Sequence, residues 1–266
     1  MTKMNFDEFY RDDKPLDKLI YDGGFCGILR TIGCIGDSLA SGEFETNDGQ
    51  GNKTYHDFYE YSWGQFIARN IGSKVYNFSQ GGMTTLTYTD GWADHWGFFR
   101  ADKLCNAYII ALGQNDIKFE EGLGDISDID LSDWRNNKRT FAGRYAQIIQ
   151  RLQEMSPRSK FFLMTIPRSP DDEQKTAVKD RHREILLEFE KMFPNIYLLD
   201  FRKYAPVYDE KFRENFFLGG HMNAAGYLLT ARMVETYVDW IIRHNMKDFA
   251  QVGFWGTDFE NIPEKQ

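Results

Sequence analysis

Thr31-Ile32-Gly33-Cys34-Ile35-Gly36-Asp37-Ser38-Leu39-Ala40-Ser41-Gly42 is an apolar run that stops in a glycine-flanked serine. A short apolar segment bounded by turn residues reads as a strand buried in a parallel sheet. Its carboxyl end then carries the Ser38 hydroxyl, and open α/β sheets bind ligands outside the carboxyl ends of their strands. Ser38 is a candidate nucleophile. A serine in that role needs a base and an oxyanion site beside it.

Working outward, similar apolar runs recur at residues 74–78, 107–112, 161–166 and 196–199, joining the one at 29–35. Helical patterns fill the intervals at 57–70, 139–155 and 172–192, and a last one follows at 224–244. In the third, Val178, His182, Ile185, Leu186 and Phe189 fall on one face; Leu228, Ala231, Val234, Val238 and Ile241 do so in the fourth. Strands alternating with helices predict a three-layer α/β/α sandwich, flavodoxin-like, with about five parallel strands.

The 266 residues suffice for one such unit, so residues 1–266 are expected to form a single domain. The tail at 248–266 is rich in aromatics, and Phe249, Phe254, Trp255 and Phe259 are expected to pack on the chain's own body or on another subunit. A net charge of −8 disfavours nucleic acid and anionic membrane as partners. No secretory segment opens the sequence and no apolar stretch is long enough to span a membrane, which predicts a cytoplasmic protein. Cys26, Cys34 and Cys105 show no CxxC spacing; Cys34 and Cys105 read as small buried apolar residues. His56, His95, His182 and His244 lack ligand spacing, so neither metal nor cofactor is expected. The acidic run 125–133 lacks the glycine and terminal glutamate of a calcium loop and reads as a solvated loop. Trp92, Trp96, Phe98 and Phe99 could wall a binding site or form an ordinary helix face.

Three more segments could meet Ser38 at the strand tips. Asn77-Phe78-Ser79-Gln80-Gly81-Gly82 offers a backbone N–H with no side chain in the way, and Gly113-Gln114-Asn115-Asp116 offers an amide. Leu218-Gly219-Gly220-His221-Met222-Asn223-Ala224-Ala225-Gly226-Tyr227 leads a histidine into the last helix. Serine, backbone N–H, amide and imidazole are the parts for acyl transfer. Each also has an ordinary role as a cap or turn residue when read alone. Together, Gly36-Asp37-Ser38-Leu39, Gly82, Gly113-Gln114-Asn115-Asp116 and His221 with Gly226-Tyr227 resemble, block by block and in order, the SGNH (GDSL-type) hydrolases.

That resemblance implies a serine esterase without a cofactor, with Ser38 as nucleophile and His221 as general base. It implies an oxyanion hole made by the N–H groups of Ser38 and Gly82 and the side-chain amide of Asn115. A short acyl ester, best an O-acetyl group on a carbohydrate, is the expected substrate. A thioesterase or lysophospholipase is the alternative, and a binding protein that kept the fold is another. A homo-oligomer is left open. One position departs: the family's last block is usually DxxH, and the aspartate's place is held by Leu218. We read a Ser38–His221 pair with a backbone carbonyl orienting the ring. Asp37, Asp116 and Asp200 are the alternative carboxylates for that place, unranked, and Asp37 and Asp116 are expected to pin their loops.

Overall fold

The computed structural model of the protein describes residues 13–118 and 122–261. In chain order its strands are β1 (Thr31–Gly36), β2 (Glu43–Asn47), β3 (Lys53–Asp57), β4 (Lys74–Ser79), β5 (Ala107–Ala111), β6 (Lys160–Met164), β7 (Ile196–Leu199), β8 (Phe217–Leu218) and β9 (His221–Met222). Five of them form a parallel sheet in the order β4-β1-β5-β6-β7. All five lie where the apolar runs predict them, to within two residues at each end. Gly36 of β1 stands beside Ser79 of β4 and Ala111 of β5, so these three strands end level. The chain adds β4 on one side of β1 and then β5 on the other, and this reversal opens the crevice at the tip of β1.

Side chains alternate across the sheet with the period of a strand. Ile32, Cys34, Ala107, Ile109 and Phe162 point to one apolar core, shared with the helices Trp63–Ile71 and Ala224–His244. Ile35, Tyr108, Ile110, Phe161 and Leu163 point to the other, covered by Phe141–Met155 and Glu173–Met192. Burying each large side chain stabilises the fold by roughly 1.5–3 kcal/mol. The helices start at Ser62, Thr140, Asp172 and Asn223, whose side chains accept from the N–H groups of Gln65, Gly143, Lys175 and Gly226. These caps satisfy donors that the first helical turn leaves without partners.

The predicted helix at 57–70 begins only at Trp63. Residues Lys53–Asp57 are instead a strand, paired antiparallel with Glu43–Asn47 in a hairpin beside the main sheet. The turn that closes it uses Gly49 and Gly51 at positive φ, with Asp48 accepting from the N–H of Gln50. A second small hairpin joins β8 to β9.

In the tail, Phe249 and Val252 are buried, and Phe249 packs on Tyr197 (5.2 Å) and Phe162 (6.3 Å); Phe254 and Phe259 stay exposed. The tail thus seats on the chain's own body through Phe249, Val252 and the partly buried Trp255, and residues 262–266 lie outside the described ones. The carboxylates of the acidic run are engaged as caps: Asp125 accepts from Ser127 N–H, Asp130 from Ser132 and Asp133 from Arg135, while Asp128 pairs with Lys138 at 2.8 Å. Among the described residues no helix is long and apolar enough to cross a membrane.

Candidate active site

Gly36 ends β1 because a side chain there would run into Ala40. That close approach lets the chain turn at once into the short helix Ser38–Ser41. Asp37 caps it, accepting from Leu39 N–H at 3.0 Å. The N–H of Ser38 itself makes no hydrogen bond among the described residues, and neither does that of Gly82. Gly82 sits at φ +73°, with open space where a side chain would be. Two unspent N–H groups beside a hydroxyl are what a developing oxyanion requires.

Asn115 follows Gly113, whose φ of +125° turns the chain at the tip of β5. Its amide donates to the Met83 carbonyl (3.2 Å) and reaches Asp37 (3.5 Å), tying the Ser38 and Gly82 turns together. Behind this turn His182 is fully buried, its Nε2 3.1 Å from the Leu112 carbonyl. Burial, aided by Arg202 and opposed by that carbonyl, lowers its pKa to about 4. His182 is a packed core residue, as expected. Asp116 pins its loop by accepting from the N–H and hydroxyl of Thr85 (2.9 and 2.6 Å). Asp200 is held by Arg183. Neither of these two faces His221.

His221 leaves the Gly219-Gly220 turn on β9, with its side chain 16% exposed. Its Nε2 lies 3.0 Å from Glu43 Oε1, and its Nδ1 lies 3.8 Å from Glu45 Oε2. The edge of Tyr55 meets the ring at 5.6 Å. Glu43, Glu45 and Tyr55 all come from the β2–β3 hairpin, which sequence reading missed. Nδ1 is buried without a hydrogen-bond partner, so the expected backbone carbonyl is not there to orient the ring.

Glu45 accepts from Gly220 N–H at 2.7 Å and pairs with Lys53 at 2.6 Å. The hydrogen bond from Lys53, followed by that from Gly220, holds its carboxyl below the ordinary glutamate value. Glu43 moves the other way: burial raises its pKa, His221 opposes the rise and Asp57 adds to it. Two carboxylates on one strand are thus driven apart, which is how sites divide acid and base roles.

Ser38, Gly82, Asn115 and His221 line one cavity of about 750 Å³. Glu43, Glu45, Lys53 and Tyr55 form its other wall. Ser38 Oγ and His221 Nε2 share the cavity without a hydrogen bond between them, because Glu43 occupies Nε2. A smaller, mostly apolar cavity of about 80 Å³ adjoins it, and the two share Asp37, Leu39, Gln114, Ile166, Pro167 and Tyr208. Of the aromatic cluster, Phe98 and Phe99 pack into the core, Trp92 donates to Gln80 at 2.6 Å and Trp96 is exposed; none lines either cavity.

No curated protein matches the sequence. Among solved structures, a protein from Lactobacillus plantarum superposes with a TM-score of 0.58 at 16% identity, over 79% of this chain and 97% of that one. A family two carbohydrate esterase from Clostridium thermocellum, in complex with cellohexaose, gives 0.54 at 13% identity over 82% of this chain and 65% of that longer one. A carbohydrate acetylesterase from Sinorhizobium meliloti gives 0.50 at 14% identity, over 80% and 99%. At such identities the likeness speaks to the fold. The sequence adds the rest: residues 34–229, which hold all four strand-tip blocks, match the GDSL-like lipase/acylhydrolase family, and the chain belongs to that family of carboxylic ester hydrolases.

Proposed function

We propose that this protein is a serine esterase that removes short acyl groups, O-acetyl groups of a carbohydrate before others, through an acyl-enzyme on Ser38. The observation that carries the reading is the meeting of hydroxyl, two unspent N–H groups, amide and imidazole on one cavity. In this scheme Ser38 Oγ adds to the ester carbonyl while its proton passes to Nε2 of His221. The N–H groups of Ser38 and Gly82 take the charge that forms on the carbonyl oxygen, joined by the Asn115 amide, which gives up its 3.5 Å contact with Asp37 to do so. The proton on Nε2 leaves with the alcohol, and water repeats the sequence on the acyl-enzyme. Nε2 must first exchange Glu43 for Ser38.

Two features favour a short acyl chain on a polar alcohol. The apolar cavity of about 80 Å³ is roughly half of one that holds benzene, enough for an acyl chain of two to four carbons. The large cavity is open and its hairpin wall is polar, which suits a sugar. The carbohydrate esterases with the same fold agree with this choice. Three buried, unpaired thiols suit a reducing compartment, and we place the protein in the cytoplasm.

The test compares p-nitrophenyl acetate, a long-chain p-nitrophenyl ester and an acyl-CoA on the parent protein and Ser38→Ala. The acetate should be cleaved fastest, and the variant should fall to the buffer rate and lose labelling by a fluorophosphonate. Preference for the long ester or the thioester would replace the substrate. Hydrolysis surviving in Ser38→Ala would remove the mechanism.

A further inference from the structure

His221 lacks the in-line acid of its block, and Leu218 in that place is exposed. We propose that Glu45 is the positioning carboxylate of His221, holding Nδ1–H while Nε2 receives the proton of Ser38. This rests on the esterase reading above.

The geometry is specific. Nδ1 is a buried polar atom without a hydrogen-bond partner, and Glu45 Oε2 lies 3.8 Å away. A buried nitrogen left unpaired costs about 1–3 kcal/mol, so closing by about 1 Å to hydrogen-bond distance is favoured. Glu45 is itself fixed. It is the buried residue of β2, tied to Gly220 N–H and Lys53. A side chain on Gly219 would collide with its carboxylate, and one on Gly220 would crowd it. The two glycines before His221 thus make room for an acid brought by another part of the chain.

Glu43 cannot fill the same role. Side chains two apart on a strand share a face, and Glu43 therefore meets the same ring, but at Nε2 (3.0 Å), the nitrogen that must serve Ser38. A ring proton on Nε2 is shared with Glu43 and leaves Nδ1 bare. A ring proton on Nδ1 is shared with Glu45 and leaves the Nε2 lone pair free as a base. During acylation the Oγ–carbon bond forms and the Ser38 proton goes to Nε2. The Nδ1 proton stays on the ring against Glu45, and the Nε2 proton departs with the alcohol as the ester C–O bond breaks. An anion at Nδ1 stabilises the imidazolium that exists between those steps. The charged groups that line the cavity with the ring are Glu43, Glu45 and Lys53 of the hairpin, with Asp37, Asp171, Lys179 and Arg213 on the other walls.

The test measures p-nitrophenyl acetate hydrolysis against pH for Glu45→Gln and Glu43→Gln, and records the low-field Nδ1 proton of the parent and of Glu43→Gln by NMR. Glu45→Gln should lower kcat about 10²-fold, less than the ~10⁴-fold seen when a directly bonded triad acid is neutralised. Its KM should stay within about twofold, and the acidic limb of kcat/KM should move to lower pH, since an imidazolium without its anion loses its proton sooner. The parent should show the low-field proton and Glu43→Gln should keep it.

A Glu45→Gln enzyme with kcat within threefold of the parent, or with an unmoved pH profile, overturns the proposal. So does a low-field proton that is missing from the parent or lost in Glu43→Gln, readings that stand even where Glu45→Gln fails to fold. Hydrolysis persisting in Ser38→Ala sinks the esterase reading itself. Loss in Ser38→Ala with Glu45→Gln unaffected sinks only the role of Glu45.

Discussion

The two walls of the cavity are built in opposite ways. On one side Ser38, Gly82 and Asn115 stand on the tips of β1, β4 and β5, and every residue of β1 after Thr31 is buried. On the other side Glu43, Glu45, Lys53 and Tyr55 stand on a hairpin in which Glu45 is the buried residue of β2 and no residue of β3 is buried. The first wall takes its geometry from a core packed on both faces of a sheet. The second is held by a few ties: the Tyr227 hydroxyl to the Glu43 carbonyl (2.6 Å), Ser41 to Asp57 (2.8 Å) and the ring of Phe44 on Tyr227 (5.3 Å). In the proposed scheme oxyanion donors must not move as charge develops, and Ser38, Gly82 and Asn115 sit on the stiff wall. The same scheme has the ring change partners between Glu43 and Ser38, and the acids that face it sit on the lightly held wall.

Asn115→Ala tests the stiff wall with the largest expected effect. Removing one oxyanion donor costs about 10²–10³ in kcat, or roughly 2.7–4 kcal/mol, and KM should change little. Tyr227→Phe, which cuts one tie of the hairpin, should cost about 1 kcal/mol or less. Equal losses in the two variants, measured as kcat on p-nitrophenyl acetate, would erase the contrast between the walls.

The stiff wall also has an acid limit, set by a buried histidine. Buried His182 stays neutral when folded, with a pKa of about 4, against the ordinary value of 6.5 in the unfolded chain. Between those values the unfolded chain binds more protons, so stability rises with pH and is lost as pH falls from 6.5 to 4. The loss amounts to about 3 kcal/mol by pH 4. Urea unfolding at pH 7 and pH 4 should show His182→Gln losing less stability than the parent. Identical losses would mean that His182 does not set the limit.

The same contrast explains what could be read from the sequence. The five strands of the sheet are mostly apolar, so their apolar runs located them, and the blocks at their tips followed. The hairpin has the reverse pattern: its buried position is Glu45, a charged residue, and its other residues are mostly polar, so no apolar signal marks it. Its turn did carry a signal in Asn47-Asp48-Gly49-Gln50-Gly51-Asn52, between two runs with β-branched and aromatic residues. Without the hairpin, residues 57–62 read as part of the following helix, and the carboxylates in view for His221 are Asp37, Asp116 and Asp200, which are engaged by Leu39, Thr85 and Arg183. Only the antiparallel register brings Glu43 and Glu45 to a histidine more than 170 residues later.

Glu43→Gln probes the lightly held wall directly. Its carboxylate competes with Ser38 for Nε2, and a net hydrogen bond is worth about 0.5–1.5 kcal/mol. Releasing the ring should therefore raise kcat/KM by roughly two- to tenfold near neutral pH. A fall instead would give Glu43 a part in the chemistry, and the division between donors on one wall and the acids that face His221 on the other would need redrawing.

The smallest effect sharpens the comparison by asking which half of the ester each wall receives. Ile166 lies just past the tip of β6 and borders both cavities, the large one and the smaller, mostly apolar one. If the acyl group enters the apolar cavity, the sheet side selects the acid while Glu43, Lys53 and Tyr55 face the alcohol. Ile166→Ala would then enlarge the acyl pocket and leave the alcohol side untouched. Each added methylene in an apolar pocket is worth about 1 kcal/mol at the lower end of such discrimination, and partial collapse of the cavity reduces the gain. The ratio of kcat/KM for p-nitrophenyl butyrate over acetate should rise by a few-fold, with no change in preference among acetylated sugars. A change in sugar preference with the acyl ratio fixed would place the alcohol, not the acyl chain, against the sheet.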